Sequence, residues 1–554
     1  MEISKQIRNF ALQNAVKFKG KANPGAIIGK IIAEHPELKP QIQEISKQIN
    51  QTVKEINKLS LEEQLTELQE SAPELLEKKE KEEHDLFAFL GIQPGQKVRT
   101  AFPPGAEKYA HIGHAKTLIL NYELAKAYNG ELYLRFEDTN PTLVKKEYYD
   151  TMLEDFKWLK VKWDVLQYAS DYMKLFYDYA EVLIKDGKAY MCFCSEEAVK
   201  TSRFKGIACS HRFYNPAENL KFWKEFSKYK AGKAILRLKI DLHHKNTTMR
   251  DPTIFRTITA THARQGKKYK IWPTYDFQTA AMDGKFEITH RLRSKEFELR
   301  TELQRWIQRS LGLHVPAIYE FARFNLEGVE SSGRVIREKI QKKELIGWDD
   351  PSLTTLVALR RRGFTPEAIR NFLLSTGISK AESTLTWDDL IVQNRRILDA
   401  KCNRYFFIHN PVKIKIKNAP KRELKLKLHP DYPDKGYRTF NISDEFYIPE
   451  KDYKELKDDK LYRLMDCLNF IKKGKEFLLD SLEYEKYKEK GEKTMHWLPI
   501  KGNINIKILM PDKQILKGIA EPALKKLKPG AIVQFPRFGF CRFDKPLFFW
   551  YTHE

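Results

Sequence analysis

Cysteine is scarce, with six among 554 residues. So few cannot staple a chain of this length, which excludes a disulfide scaffold and points to a reducing, cytoplasmic compartment. Long apolar runs are missing as well. The opening MEISKQIRNF holds none, so neither a signal peptide nor a membrane span is expected. No internal repeat and no low-complexity tract is legible, which leaves ordinary globular domains. Acidic residues are in deficit: 74 Asp and Glu stand against 98 Lys and Arg, for a formal net charge of +24. Such an excess suits a polyanion such as nucleic acid, because each neutralised phosphate releases counterions. A lysine-rich solvated surface is the plainer account of the same number.

What is present is enough for several packed cores: 42% apolar residues, including 33 Phe and 25 Tyr. The length implies about three to five domains. Residues 1–88 look helical and charged, and Ile42, Ile45, Ile49, Val53 and Ile56 fall on one helix face. A docking or RNA-contacting domain and a plain helix bundle both fit. The charge-dense run LLEKKEKEEHD (75–85) makes a natural boundary. The texture then changes. KVRTAFPP (97–104) reads as a strand, HIGHAKTLILNYELAKAY (111–128) as a helix and ELYLRFED (131–138) as a second strand, which together make a parallel crossover unit. The style returns near 270 with strand-like KIWPTYDF and helical KEFELRTELQRWIQRSL, so one α/β sheet is split by an insertion. TTLVALRRRGF and PEAIRNFLLSTG read as short helices. From 401 onward KIKIKNA, ELKLKLH, INIKILM, AIVQFPRF and FGFCRFD read as strands of one or two barrels.

Two clusters carry chemistry. His111-Ile112-Gly113-His114 sits where a strand turns into a helix, and a helix N-terminus favours anions. Its imidazoles can donate to phosphate oxygens, and Gly113 permits close approach of a nucleotide to the backbone. Alone, the tetrapeptide also fits chance or metal binding. Cys192, Cys194, Cys209 and His211 form a C-x-C, fourteen residues, C-x-H pattern. Two close pairs of such ligands suit tetrahedral Zn²⁺ in a structural role, whereas unrelated buried thiols are the alternative.

HIGHAKT, together with LRFEDTNP (134–141), WPTYDF (272–277), ITHRLRSKEF (288–297), YEFARFNLEG (319–328) and GWDDPSLTTLVALRRRGFTPEAIR (347–370), resembles the class I glutamyl- and glutaminyl-tRNA synthetases. NAVKFKGKANPGAIIGKIIAEHPEL and VQFPRFGFCRFD resemble the archaeal glutamyl branch. The resemblance covers nearly the whole chain. It implies a multidomain α/β fold: an N-terminal helical domain (1–88), a Rossmann catalytic domain in two halves (93–170 and 269–335) split by an acceptor-stem insertion with a zinc site (171–268), a helical connector contacting the stem (336–400), and β-barrels that read the anticodon (401–554). It further implies ATP and Mg²⁺, glutamate, tRNA(Glu), no membrane, and a monomer, and leaves open whether tRNA(Gln) is a further acceptor. The implied reaction forms glutamyl-adenylate and then acylates the terminal adenosine of tRNA. A glutamine enzyme and an inactive tRNA-binding paralogue are the alternatives.

Carried over by position, His111, Gly113, His114, Ser332 and Arg334 fall on the ATP site, with His111, His114 and Arg334 catalytic. Glu137 falls on the acid that holds the α-ammonium group, and Tyr275 on the wall of the amino-acid pocket. Arg293 stands where glutamine enzymes carry cysteine, and Ile318 where they carry glutamine. A buried γ-carboxylate needs a guanidinium, so both favour glutamate. The chain also departs from the pattern. In AFPPGAEKY, Ala101 replaces a substrate-contacting arginine, Gly105 an acid and Lys108 a glycine. Arg99, on the same strand face as Ala101, is the candidate replacement for glutamate binding. The mobile loop aligns with Ser331-Ser332-Gly333-Arg334, where the usual lysine falls on Gly333 and Arg334 offers a cation instead. LRRRG (359–363) is a candidate RNA-facing cluster, with a solvated helix face as the alternative. Phe535 and Phe538 could stack anticodon bases or fill a barrel core.

Overall fold

The computed structural model describes residues 2–18, 20–75, 86–324, 326–381 and 385–554. Most of the charged run at 75–85 lies outside them. The chain divides into two compact units, Met1–Gly91 and Ile92–Glu554.

The first unit packs helices Glu2–Lys17, Pro24–Glu34, Ile42–Ile56 and Leu61–Ser71. Local signals set their starts. Asn23 accepts from the Gly25 N–H ahead of Pro24, and Ser60 and Glu63 cap each other's backbone reciprocally. Ile45, Ile49, Val53 and Ile56 are buried in one core with Ile7, Ala11 and Ile31, whereas Ile42, in the first turn, stays exposed.

The second unit is built on five parallel strands: β1 (Arg99–Phe102), β2 (Glu131–Phe136), β3 (Val165–Tyr168), β4 (His290–Ser294) and β5 (Ala317–Phe321). Their order is β3-β2-β1-β4-β5. Strand order reverses between β1 and β4, and a crevice opens at the strand C-termini beside such a reversal. One face of the sheet carries α1 (Ile112–Ala127), whose Ala115, Leu118 and Ile119 share a core with Leu132, Leu134 and Phe136 of β2. On the other face Arg135 of β2 and Arg291 of β4 both pair with Asp283 of α2 (Tyr275–Lys285).

Between β3 and β4 the chain makes a four-stranded antiparallel sheet from Ala189–Cys192, Ile235–Leu238, Thr253–Thr257 and Ile271–Pro273. The strand read in KIWPTYDF therefore belongs to the insertion, pairing with Thr253–Thr257, while Tyr275 already opens α2. Past the sheet, helices Leu356–Arg362, Pro366–Ser375 and Trp387–Lys401 follow. Leu356, Leu359, Phe372 and Leu390 enter the core shared by α1 and β2, so this connector is fastened to the catalytic sheet.

Two seven-stranded sheets end the fold, each around its own core. The chain lays Asn403–Arg404 and Phe407–His409 in the first, makes the second within residues 411–499, and returns for Ile504–Leu509 through Phe548–His553. No described helix is long and apolar enough to cross a membrane.

Candidate active site at the sheet switch point

A cavity of about 430 Å³ opens where β1 and β4 end. His111, Gly113, His114, Glu137, Tyr275, Arg293 and Ser332 all line it, so the structure brings together most of the residues singled out from sequence. His111 is the N-cap of α1. Its Nδ1 accepts the Gly113 N–H at 3.1 Å, and its own backbone N–H donates to His114 Nδ1 at 3.1 Å. With both Nδ1 atoms accepting, each neutral ring carries its hydrogen on Nε2. Burial, with Lys108 adding to it, holds His111 down at about 3, and burial holds His114 well below its ordinary range. At neutral pH these are hydrogen-bond donors, not cations. Gly113 has a reason of its own: a Cβ there would sit 2.9 Å from the His111 ring, so the glycine makes room for the cap.

Glu137 follows β2 at the cavity floor and accepts the Thr279 hydroxyl at 2.5 Å. Burial raises its carboxyl to about 8, opposed by that hydroxyl and by Arg291 and Arg135. Tyr275 stands beside Phe297, 5.5 Å between ring centres, and burial pushes its phenol up. Arg293 is buried; its terminal nitrogens donate to Gln304 Oε1 at 2.8 Å, Thr301 Oγ1 at 2.5 Å and the Phe297 carbonyl at 3.3 Å.

Sequence reading missed Arg291. It lines the same cavity, 2% exposed, braced by Asp283. The signal was present in ITHRLRSKEF, where Arg291 and Arg293 alternate onto one strand face. Ile318 stands in register with Arg291 but lines a separate cavity beside the helix Glu298–Ser310.

Two expectations are corrected. Arg99 lies at the start of β1, away from the strand ends, and its guanidinium is taken by Glu131 at 2.6 Å and Glu287 at 2.9 Å. Sharing a strand face with Ala101 was not enough, because one strand step of two residues carries a side chain roughly 7 Å back along the strand. Arg334 is the second residue of the helix Gly333–Gln341, its side chain 83% exposed and 3.4 Å from Glu338. It is not among the residues that line the cavity.

The LRRRG arginines are structural too. Arg360 pairs with Glu154, Arg361 with Asp349 and Asp544, and buried Arg362 donates to the carbonyls of Pro351 and Thr552. Phe535 is fully buried in the first C-terminal core and Phe538 packs against it.

In the insertion the ligand atoms of Cys192, Cys194, Cys209 and His211 all lie within 4.8 Å of one another. Cys192 Sγ is 3.9 Å from Cys209 Sγ, and Cys194 Sγ is 3.4 Å from His211 Nδ1. Ligands on a tetrahedral zinc with bonds of about 2.0–2.3 Å are spaced by roughly 3.5–3.8 Å. The four donors fit that ion.

Residues 97–400 match the family described as tRNA synthetases class I (E and Q), catalytic domain, and residues 402–478 and 484–544 match the two anti-codon binding domains of the same synthetases. The chain therefore belongs to the class I aminoacyl-tRNA synthetases for glutamate and glutamine. Among its full-length relatives are archaeal glutamate--tRNA ligases. It is 40% identical to the glutamate--tRNA ligase of Pyrococcus furiosus over 562 positions, covering 98% of each chain. It is 36% identical to that of Methanothermobacter thermautotrophicus over 552 positions, covering 99% of each. Neither the glutamine enzyme nor the inactive paralogue is favoured by these relatives.

Proposed function

We propose that the chain attaches L-glutamate to tRNA(Glu): ATP and glutamate give glutamyl-adenylate and pyrophosphate, and the terminal adenosine of tRNA takes the acyl group. One observation carries the choice of glutamate. The cavity holds two buried guanidinium groups, Arg291 and Arg293, on the wall that also holds Glu137. A substrate with one ammonium and two carboxylates matches that set: Asp283 is shared between Arg135 and Arg291, Glu320 stands 3.8 Å from Arg293, and a carboxylate can accept from a guanidinium at both oxygens where glutamine's amide offers one.

In this reading Glu137 takes the α-ammonium group and Tyr275 walls the side chain. The guanidinium absent at Ala101 comes from Arg291. Thr100 and His290 are in register across β1 and β4, so Ala101 and Arg291 are neighbours on one face of the sheet. Arg293 reads the substrate's carboxylate through a fork held rigid by Gln304 and Thr301. His111 and His114 offer Nε2–H groups to the ATP phosphates, with Ser332 at the cavity edge. The phosphates bring Mg²⁺, which offsets their charge when bound. No side chain needs to act as nucleophile, because positioning and charge stabilisation carry chemistry of this kind. Cys192, Cys194, Cys209 and His211 hold a structural zinc in the insertion, and the two C-terminal sheets carry anticodon recognition.

Aminoacylation of purified tRNA(Glu) and tRNA(Gln) with labelled glutamate or glutamine tests the reading. Charging of tRNA(Glu) with glutamate is the expected result, and charging with glutamine would overturn it. Substituting Arg291 or Arg293 by methionine raises KM for glutamate by on the order of 10–100-fold, the value of a charge-assisted hydrogen bond. Glutamate on tRNA(Gln) would show a second acceptor.

A further inference from the structure

The cavity has a cation that neither the reading of the sequence nor the proposed roles above use. Lys108 lies in the turn between β1 and α1, and its Nζ is 3.4 Å from His111 Nε2. Both atoms are donors there. The His111 Nδ1 is occupied in accepting the Gly113 N–H, so Nε2 carries the ring's hydrogen, and an ammonium group has only donors. Two donors thus converge with no acceptor shared between them, which is a place for an anionic oxygen. Among the described residues no carboxylate forms an ion pair with Lys108. The nearest charges are mixed: Glu107 and Glu296 favour the ammonium form, and Arg323 and Arg337 oppose it. Burial is the largest influence and draws its pKa down. A half-buried ammonium with no ion pair of its own gains most from a ligand that carries several negative charges.

The position opposite Lys108 completes the case. A Cβ built on Gly333 would lie 2.8 Å from Lys108 Cδ and 3.3 Å from its Cβ. Gly333 opens the helix Gly333–Gln341 without a positive φ, so its glycine provides room rather than an unusual backbone. That room is filled by the Lys108 stem. In the resemblance described above, position 108 is where a glycine is usual and position 333 is where a lysine is usual. In this chain the two are exchanged, and the structure shows their side-chain spaces to be one space.

We propose that Lys108 is a catalytic residue for glutamate activation: it meets the ATP phosphates from the fixed β1–α1 turn and supplies the cation that the segment 331–334, whose Arg334 lies outside the cavity lining, does not bring to them. The proposal rests on His111 and His114 facing those phosphates. In the step it serves, a carboxylate oxygen of glutamate bonds to the α-phosphorus. The bond from that phosphorus to the bridging oxygen breaks, and the electron pair leaves with pyrophosphate. Lys108 neither gives nor takes a proton; it offsets the charge that builds on the departing pyrophosphate. Its placement also leaves Arg334 free for its pairing with Glu338.

ATP–pyrophosphate exchange by the full chain, with tRNA(Glu) and saturating glutamate, tests this. Lys108→Met keeps the stem that packs on Gly333 and removes the charge. It should lower kcat by on the order of 10²–10³-fold, the range for losing one preorganised stabilising group. KM for glutamate should stay within about threefold, because the charge faces the phosphates rather than the amino acid. Lys108→Gly should fall as far, and Lys108→Gly with Gly333→Lys should recover at least tenfold over it, which a merely structural lysine would not allow. Exchange by folded Lys108→Met within about threefold of the unaltered chain would overturn the proposal. An unaltered chain that exchanges nothing would overturn the reading of the site beneath it, and this proposal with it.

Discussion

Glu137 is a cavity residue whose charge changes close to neutral pH. Its carboxyl sits at about 8, raised chiefly by burial. Below that value it is protonated and cannot balance an α-ammonium group, so binding glutamate at pH 7 must release a proton. The sign follows: glutamate binds more weakly as pH falls. KM for glutamate should rise by up to about tenfold per pH unit below 8, as expected for a single group that must lose its proton. Glu137→Gln should abolish that slope as well as weaken binding, and initial rates against glutamate between pH 6 and 8.5 would check both. A flat profile in the unaltered chain would remove Glu137 from this role. His111, His114 and Glu137 were legible because each lies beside the turn or strand end that aims it. Arg291 was legible only as a residue on the strand face of Arg293, not as part of the cavity, and Lys108 was not legible. Their surroundings are set by contacts between segments about two hundred residues apart, such as Thr100 with His290 and Lys108 with Gly333. Arg99 misled for the converse reason, since alternation gives the face of a strand but not the distance along it.

Elements show the same division between local and distant causes. The spacing of Cys192, Cys194, Cys209 and His211 announced a four-ligand set, and the structure crosses the pairs, Cys192 with Cys209 and Cys194 with His211. Roughly one zinc per chain should be found by metal analysis, as for a closed four-ligand site. Cys209→Ser should lose it and lower the melting temperature of the insertion; a metal-free chain with an unchanged melt would refute a structural zinc. The LRRRG helix was a different kind of problem. A run of arginines looks alike whether it faces solvent, RNA or protein. Only the return of Phe548–His553 beneath the connector reveals its purpose, because Arg362 donates to the Thr552 carbonyl and Asn394 meets His553 at 2.9 Å. Arg362→Ala should cost about 2–3 kcal/mol, since it removes charge-assisted bonds and leaves two buried carbonyls unmet. Denaturant unfolding would measure the loss, and a shift below 0.5 kcal/mol would deny the clamp.

For the molecule as a whole, the charge of +24 becomes a statement about affinity. If it serves tRNA phosphates, the logarithm of the tRNA Kd should rise with that of salt concentration. Each phosphate contact contributes roughly 0.7–0.9 to the slope, so filter binding between about 50 and 300 mM salt should give a slope of several. A slope near zero would make the lysines mere solvated surface. Helices, the split sheet and the β-rich end were legible from hydrophobic period and turn residues, which are local. The lacing of the two C-terminal sheets was not, because strand partners such as Asn403–Arg404 and Ile532–Phe535 lie far apart in the chain. That lacing orders the protein's birth on the ribosome. The second sheet emerges whole before the first has received the strands that finish it. Strands Asn403–Arg404 and Phe407–His409 are therefore made about a hundred residues before Ile504–Leu509, the next strand of their sheet. A break anywhere along that interval is not a local wound, since it strands the foot on which the connector, and through it the catalytic sheet, is seated.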